Sequence, residues 1–76
     1  MRITKERQRF LKRQIVMYIQ TFTKVNGFAP TRCEIAHAVG ISLSTVNRYV
    51  HIMEKEGVLK LKPRKARAIV LKTRVI

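Results

Sequence analysis

TRCEIAHAVGISLSTVNRYVHIMEKEG, residues 31–57, is the stretch that decides the fold. It reads as a short helix, a tight turn and a longer helix. Gly40 signals the turn, because glycine takes the left-handed conformation that ends a helix without steric cost. Ser42 follows, a residue type whose hydroxyl caps the free N–H groups of the next helix. That helix keeps Leu43, Val46, Val50 and Met53 on one stripe, with Tyr49 at the margin. Its other face carries Ser44, Asn47, Arg48, His51 and Lys55, an arc of ~100° opposite Val46 and Val50. A helix built this way anchors one side on a small core and offers the other to a DNA major groove.

Working back from this stretch, Thr31 and Glu34 form a capping box, and the helix they open runs to about Val39. It should bury Ile35, Ala36 or Ala38, and Val39. Residues 4–25 form an earlier helix, with Thr4 as N-cap and Leu11, Ile15, Tyr18, Ile19 and Phe22 recurring at spacings of three and four. Gly27 ends it, and Pro30 blocks its continuation. Working forward, the third helix runs from Leu43 to about Glu56 and is ended by Gly57. The apolar period then changes from 3.6 to 2. Leu59 and Leu61 share one face of a strand, Ile69 and Leu71 one face of another, and the basic segment 62–67 (KPRKAR) turns between them. The expected fold is mainly α with a small β-hairpin, a winged helix-turn-helix in which the inner hairpin face closes the helical core. Residues 1–76 then form one domain, with a basic lead at 1–9 and the wing tip at 62–67. Ile52 has no place on the stripe. Its position beside Thr45 admits a thymine-methyl contact, packing under helix two, or a dimer contact.

A chain of 76 residues supports one small core and leaves no room for a large substrate cleft. Its charge is lopsided: 17 Lys and Arg face four Glu and no Asp, giving +13. The bases gather at residues 1–13 and 60–76, with only Lys24, Arg32, Arg48 and Lys55 between. A fold this small repels itself at such a charge unless a polyanion is near. A merely solubilising surface would mix signs. No apolar run approaches the ~18 residues of a membrane span, and the basic N-terminus lacks the apolar core of a signal peptide. The expectation is a cytoplasmic, nucleoid-associated protein with no membrane partner. The single Cys33 excludes an internal disulfide, in keeping with a reducing compartment.

The segments GFAPTRCEIA (27–36), VGIS (39–42) and KEGVL (55–59) resemble the N-terminal DNA-binding domain of LexA-type repressors. That family carries a G-[YF]-x-P-T-R-x-E-I-A segment, a Leu-Gly turn and a K-G-x-I lead into the wing. The likeness covers roughly residues 15–72 and is most specific through the P-T-R-x-E-I-A run. It implies a double-stranded DNA-binding regulator of bacterial or phage type. Two features depart from the family. Its second domain, a self-cleaving Ser-Lys peptidase that also dimerises, has no counterpart in this sequence, so a stand-alone domain without autoproteolysis is expected. Its early Arg-Gln pair appears as Arg13-Gln14, closer to Gly27 and after an unusually basic lead.

On this reading Ser44, Thr45, Asn47, Arg48 and His51 are the candidates for base reading. Arg suits guanine O6/N7 and Asn suits adenine N6/N7. A helix face meant only for water would carry Glu–Lys pairs rather than Ser, Thr and Asn, which are poorer helix formers. Thr31, Arg32, Ser42 and Lys55 are candidates for phosphate contact from helix ends, and Lys62, Arg64, Lys65 and Arg67 from the wing. Cys33 and His37 have metal half-site spacing but no second pair, so no metal or other cofactor is expected. With no Asp and no phosphate-cradling glycine loop, neither an enzyme nor a small-molecule substrate is expected. The leading function is sequence-specific regulation through double-stranded DNA. The alternatives are a sequence-tolerant nucleic-acid binder of nucleoid or RNA type and a winged-helix protein-interaction module. The chain is expected to be monomeric when free and paired on DNA.

Overall fold

The computed structural model describes residues 5–62 and 69–72. Within them three helices precede a hairpin: α1 (Lys5–Asn26), α2 (Arg32–Val39), α3 (Leu43–Lys55), β1 (Leu59–Leu61) and β2 (Ile69–Leu71). This is the winged helix-turn-helix that the periodicities predict. The Thr4 cap, the wing tip beyond Lys62 and the last four residues lie outside the described part.

Local chemistry sets the ends of the elements. The Thr31 hydroxyl accepts from the Glu34 N–H at 3.1 Å, and the Glu34 carboxylate accepts from the Thr31 N–H at 2.7 Å. Both halves of the capping box are therefore made, a device that stabilises a helix start by about 1 kcal/mol. Helix α2 ends at Gly40, with φ 78° and ψ 35°, a conformation that side chains with a Cβ adopt only at a cost. There the Gly40 and Ile41 N–H groups both donate to the Ala36 carbonyl, at 2.9 and 3.1 Å. Helix α3 closes in a Schellman motif: Gly57 N–H donates to Glu54 O at 3.1 Å and Val58 N–H to Met53 O at 3.0 Å. Val58 packs beside the core as this motif favours, and the chain leaves directly into β1.

The strands pair antiparallel, Leu59 with Leu71, Lys60 with Val70 and Leu61 with Ile69. Leu59 and Ile69 are buried, Leu61 and Leu71 half-buried, and Lys60 and Val70 point outward. The hairpin thus covers the core with the face expected of it, resting on α3 through β1 and on α1 through β2. The core joins Leu11, Ile15 and Ile19 of α1 to Ile35 and Ala36 of α2 and Val46, Val50 and Met53 of α3.

The packing departs from the expected core at several positions, and Val39, expected to be buried, is half-buried. Leu43, expected on the buried stripe, is 43% exposed, whereas Tyr49, expected at its margin, is only 3% exposed. The buried face of α3 is centred between Val46 and Met53. Tyr49 lies ~50° from that centre and Leu43 ~70° away, in a first turn with neighbours on one side only. Val16 joins the core because α1 meets α2 on one flank and β2 on another, which widens its buried face beyond a single stripe. Tyr18 and Phe22 are only half-buried; their rings stack obliquely at 5.7 Å, and Phe22 meets the exposed Phe28 edge-on at 5.8 Å. Of the alanines on α2, Ala36 is buried and Ala38 exposed. Ile52 is half-buried against the core cluster, so packing accounts for it.

Candidate nucleic-acid interface

The surface of α3 opposite the core is built from Ser44, Arg48, His51 and Lys55, all exposed. They recur at spacings of four, three and four, which aligns them along one side of the helix. Asn47 and Thr45 flank this stripe on either side and are half-buried. The stripe is held rigidly because the opposite face of the same helix carries Val46, Tyr49, Val50 and Met53, none more than 3% exposed. Thr45 is occupied in the cap: its N–H donates to the Ser42 hydroxyl at 3.1 Å, and the two hydroxyls lie 2.8 Å apart. Ser42 therefore caps α3 as its position suggests, and the helix start beside it presents backbone N–H groups outward.

The start of α2 lies against this helix. The Arg32 guanidinium donates through Nη1 to the Asn47 side-chain oxygen at 2.9 Å, across 15 residues of sequence. Both residues are half-buried. The turn thus brings together one residue expected to meet phosphate and one expected to read bases. This contact was not visible in the sequence, since no spacing rule relates the first turn of one helix to the second turn of the next.

Charge is distributed to match. Glu34 is held in the capping box, Glu54 accepts from the Leu61 N–H at 3.3 Å, and Glu56 pairs with Lys12 at 2.9 Å. Glu6 sits in the first turn of α1, where a carboxylate complements the helix dipole. The few acids thus serve structural contacts, while the chain retains its +13 excess. Of the expected wing contacts, Lys62 is exposed at the end of β1; Arg64, Lys65 and Arg67 lie outside the described residues.

The remaining surface offers little for chemistry. An open groove of about 420 Å³ between α1 and the α2–α3 turn is lined by Phe10, Gln14, Met17 and Ile41 among others, with no carboxylate, histidine or cysteine. Cys33 and His37 are both exposed on α2, and no group of three metal-ligating residues forms among the described residues. Among the same residues no helix is long and apolar enough to cross a membrane.

Three helices, a wing and a basic face opposite a rigid core define a winged helix-turn-helix DNA-binding domain. The model of the LexA DNA-binding domain family matches residues 2–68, and the chain belongs to that family. It is 36% identical over 61 residues to the LexA repressor of Carboxydothermus hydrogenoformans, covering 79% of this chain and 30% of that protein. Against the LexA repressor of Ligilactobacillus salivarius it is 43% identical over 61 residues, covering 76% and 30%. The corresponding figures for Exiguobacterium sibiricum are 39% over 59 residues, 76% and 29%. The chain spans about 30% of the length of these curated relatives. The matched family is a DNA-binding domain, not a catalytic one.

Proposed function

We propose that this protein is a sequence-specific regulator of transcription that reads double-stranded DNA with α3 in the major groove. The observation that carries the proposal is the exposed stripe Ser44, Arg48, His51 and Lys55, set directly opposite the buried face of the same helix. In this reading Ser44, Thr45, Asn47, Arg48 and His51 meet base edges. Thr31, Arg32, Ser42 and Lys55 meet phosphates beside the groove, where helix starts supply free N–H groups and a partial positive charge. Lys62, Arg64, Lys65 and Arg67 extend the contact to the flanking backbone or minor groove. Its place of action is the cytoplasm, on the nucleoid, and it requires no cofactor.

The division of labour is testable by substitution. Arg48→Ala should cost about 1–3 kcal/mol on a selected duplex and relax preference at one base position. Arg64→Ala and Lys65→Ala should instead weaken selected and random duplexes alike. Titrations of both duplexes by fluorescence anisotropy separate the two patterns. An equal loss on both duplexes for Arg48→Ala would remove it from base reading.

One winged helix covers only a short site, and specific regulators commonly double it by pairing. Two copies each carrying +13 repel one another when free, and bound DNA screens that repulsion. We expect a monomer in solution and paired binding on half-sites about 34 Å, or a multiple, apart. Sedimentation of the free protein and its complex decides this. A stable dimer without DNA, or strict one-to-one binding on every selected site, would contradict it.

One observation favours a sequence-tolerant mode instead. Phe10 is 54% exposed between Arg9 and the Lys12-Arg13 pair, the combination of stacking face and charge that single strands use. Tighter binding to single strands than to a selected duplex would establish that mode.

A further inference from the structure

We infer that Arg32 is a positioning residue for base recognition, holding the Asn47 side-chain amide in one orientation so that α3 distinguishes hydrogen-bond acceptors from donors on the base edge. This rests on the reading of α3 as the base-reading helix. An asparagine amide carries an oxygen that accepts and an NH2 that donates, and rotation about its last bond exchanges them. Arginine has donors only. The atom facing Nη1 at 2.9 Å must therefore be the oxygen, and the NH2 is directed away from Arg32.

The contact is charge-assisted and half-buried, so it is stronger than a neutral, solvated hydrogen bond. Turning the amide over would place its NH2 against the guanidinium, two donors face to face. Asn47 thus has one low-energy state before DNA arrives. Its NH2 is a donor suited to purine N7, guanine O6 or thymine O4, while engagement of the oxygen by Arg32 disfavours the bidentate adenine N6/N7 contact that an unheld asparagine amide suits. The guanidinium offers five N–H donors in a fixed fork, and only one contact is spent on Asn47. The others remain for a phosphate, so Arg32 can link the backbone position of α2 to the base edge read by α3. Lysine has no planar fork to do both.

The test is a double-mutant cycle read as base preference. Wild type, Arg32→Ala, Arg32→Lys, Asn47→Ala and the Arg32→Ala/Asn47→Ala double variant are titrated against a selected duplex and its single-base variants, with circular dichroism and thermal melts establishing that each is folded. Asn47→Ala should reduce discrimination at one base pair by roughly 5-fold or more. Arg32→Ala should relax the same base pair by admitting bases that present a donor there, and the double variant should lose no further discrimination. Arg32→Lys should keep the salt dependence of binding while losing part of that discrimination, and it serves as the decisive variant if Arg32→Ala does not fold.

If Arg32 is only a phosphate clamp, Arg32→Ala lowers affinity for every duplex equally and reduces the salt slope by about 0.9, with base preference unchanged. Additive losses in the double variant, or relaxation at a different base pair, also overturn the positioning role. A wild-type protein that does not discriminate selected from random duplexes overturns the base-reading function itself. Discrimination that Asn47→Ala relaxes and neither Arg32 variant does overturns this inference alone.

Discussion

Affinity for a selected duplex is expected to fall by roughly 10³–10⁵-fold as salt rises from about 50 to about 200 mM. The size of the effect follows from the charge arrangement. Seventeen basic side chains face four carboxylates, and Glu34, Glu54 and Glu56 are held in a capping box, a strand contact and a pair with Lys12. The basic excess is therefore available to phosphates. If the helix starts, the lead of α1 and the wing together meet about six to ten phosphates, counterion release gives a steep logarithmic slope. Binding measured across a salt series checks the slope directly. A nearly flat dependence would exclude phosphate-driven binding and favour an interaction with another protein.

Truncating Ile35 to alanine is expected to destabilise the fold by about 2–5 kcal/mol. Ile35 is fully buried, and α2 is the element that touches both α1 and α3. A domain of this length has a total stability of only about 4–11 kcal/mol, so the loss removes a large fraction of it. Urea titration followed by circular dichroism should show the midpoint falling with little change in slope. Leu43→Ala is the contrasting case. Its side chain is 43% exposed, against none for Ile35, and a much smaller change, of about 0.5 kcal/mol, is expected. A loss below about 1 kcal/mol at Ile35, or an equal loss at Leu43, would contradict the packing described here. Because DNA binds only the folded chain, the Ile35 variant should recover thermal stability in the presence of a selected duplex.

The helix boundaries and the hairpin were legible in the sequence because their causes are local. Gly40 and Gly57 meet the demand for a left-handed residue within a single turn, and the Thr31–Glu34 box closes over three residues. The switch from Ile15 and Ile19 on a helical stripe to Leu59 and Leu61 alternating on a strand likewise needs only near neighbours. The polar face of α3 could be located for the same reason, since the side opposite an apolar stripe follows from helix geometry alone.

What the sequence could not determine depends on how elements meet. The exposure of Leu43 and the full burial of Tyr49 follow from α2 and β1 both packing on α3, which sets where its buried face is centred. Val16 becomes core because α1 has neighbours on two flanks, and Ile52 is accounted for by partial burial that no wheel assigns. The Arg32–Asn47 contact is the clearest case. Type and position give each residue only a separate expectation, yet the packing of α2 against α3 places a guanidinium against an amide. Periodicity along a chain specifies which face of a helix is apolar. Only the tertiary packing sets the angles and separations between helices, and with them which polar side chains touch.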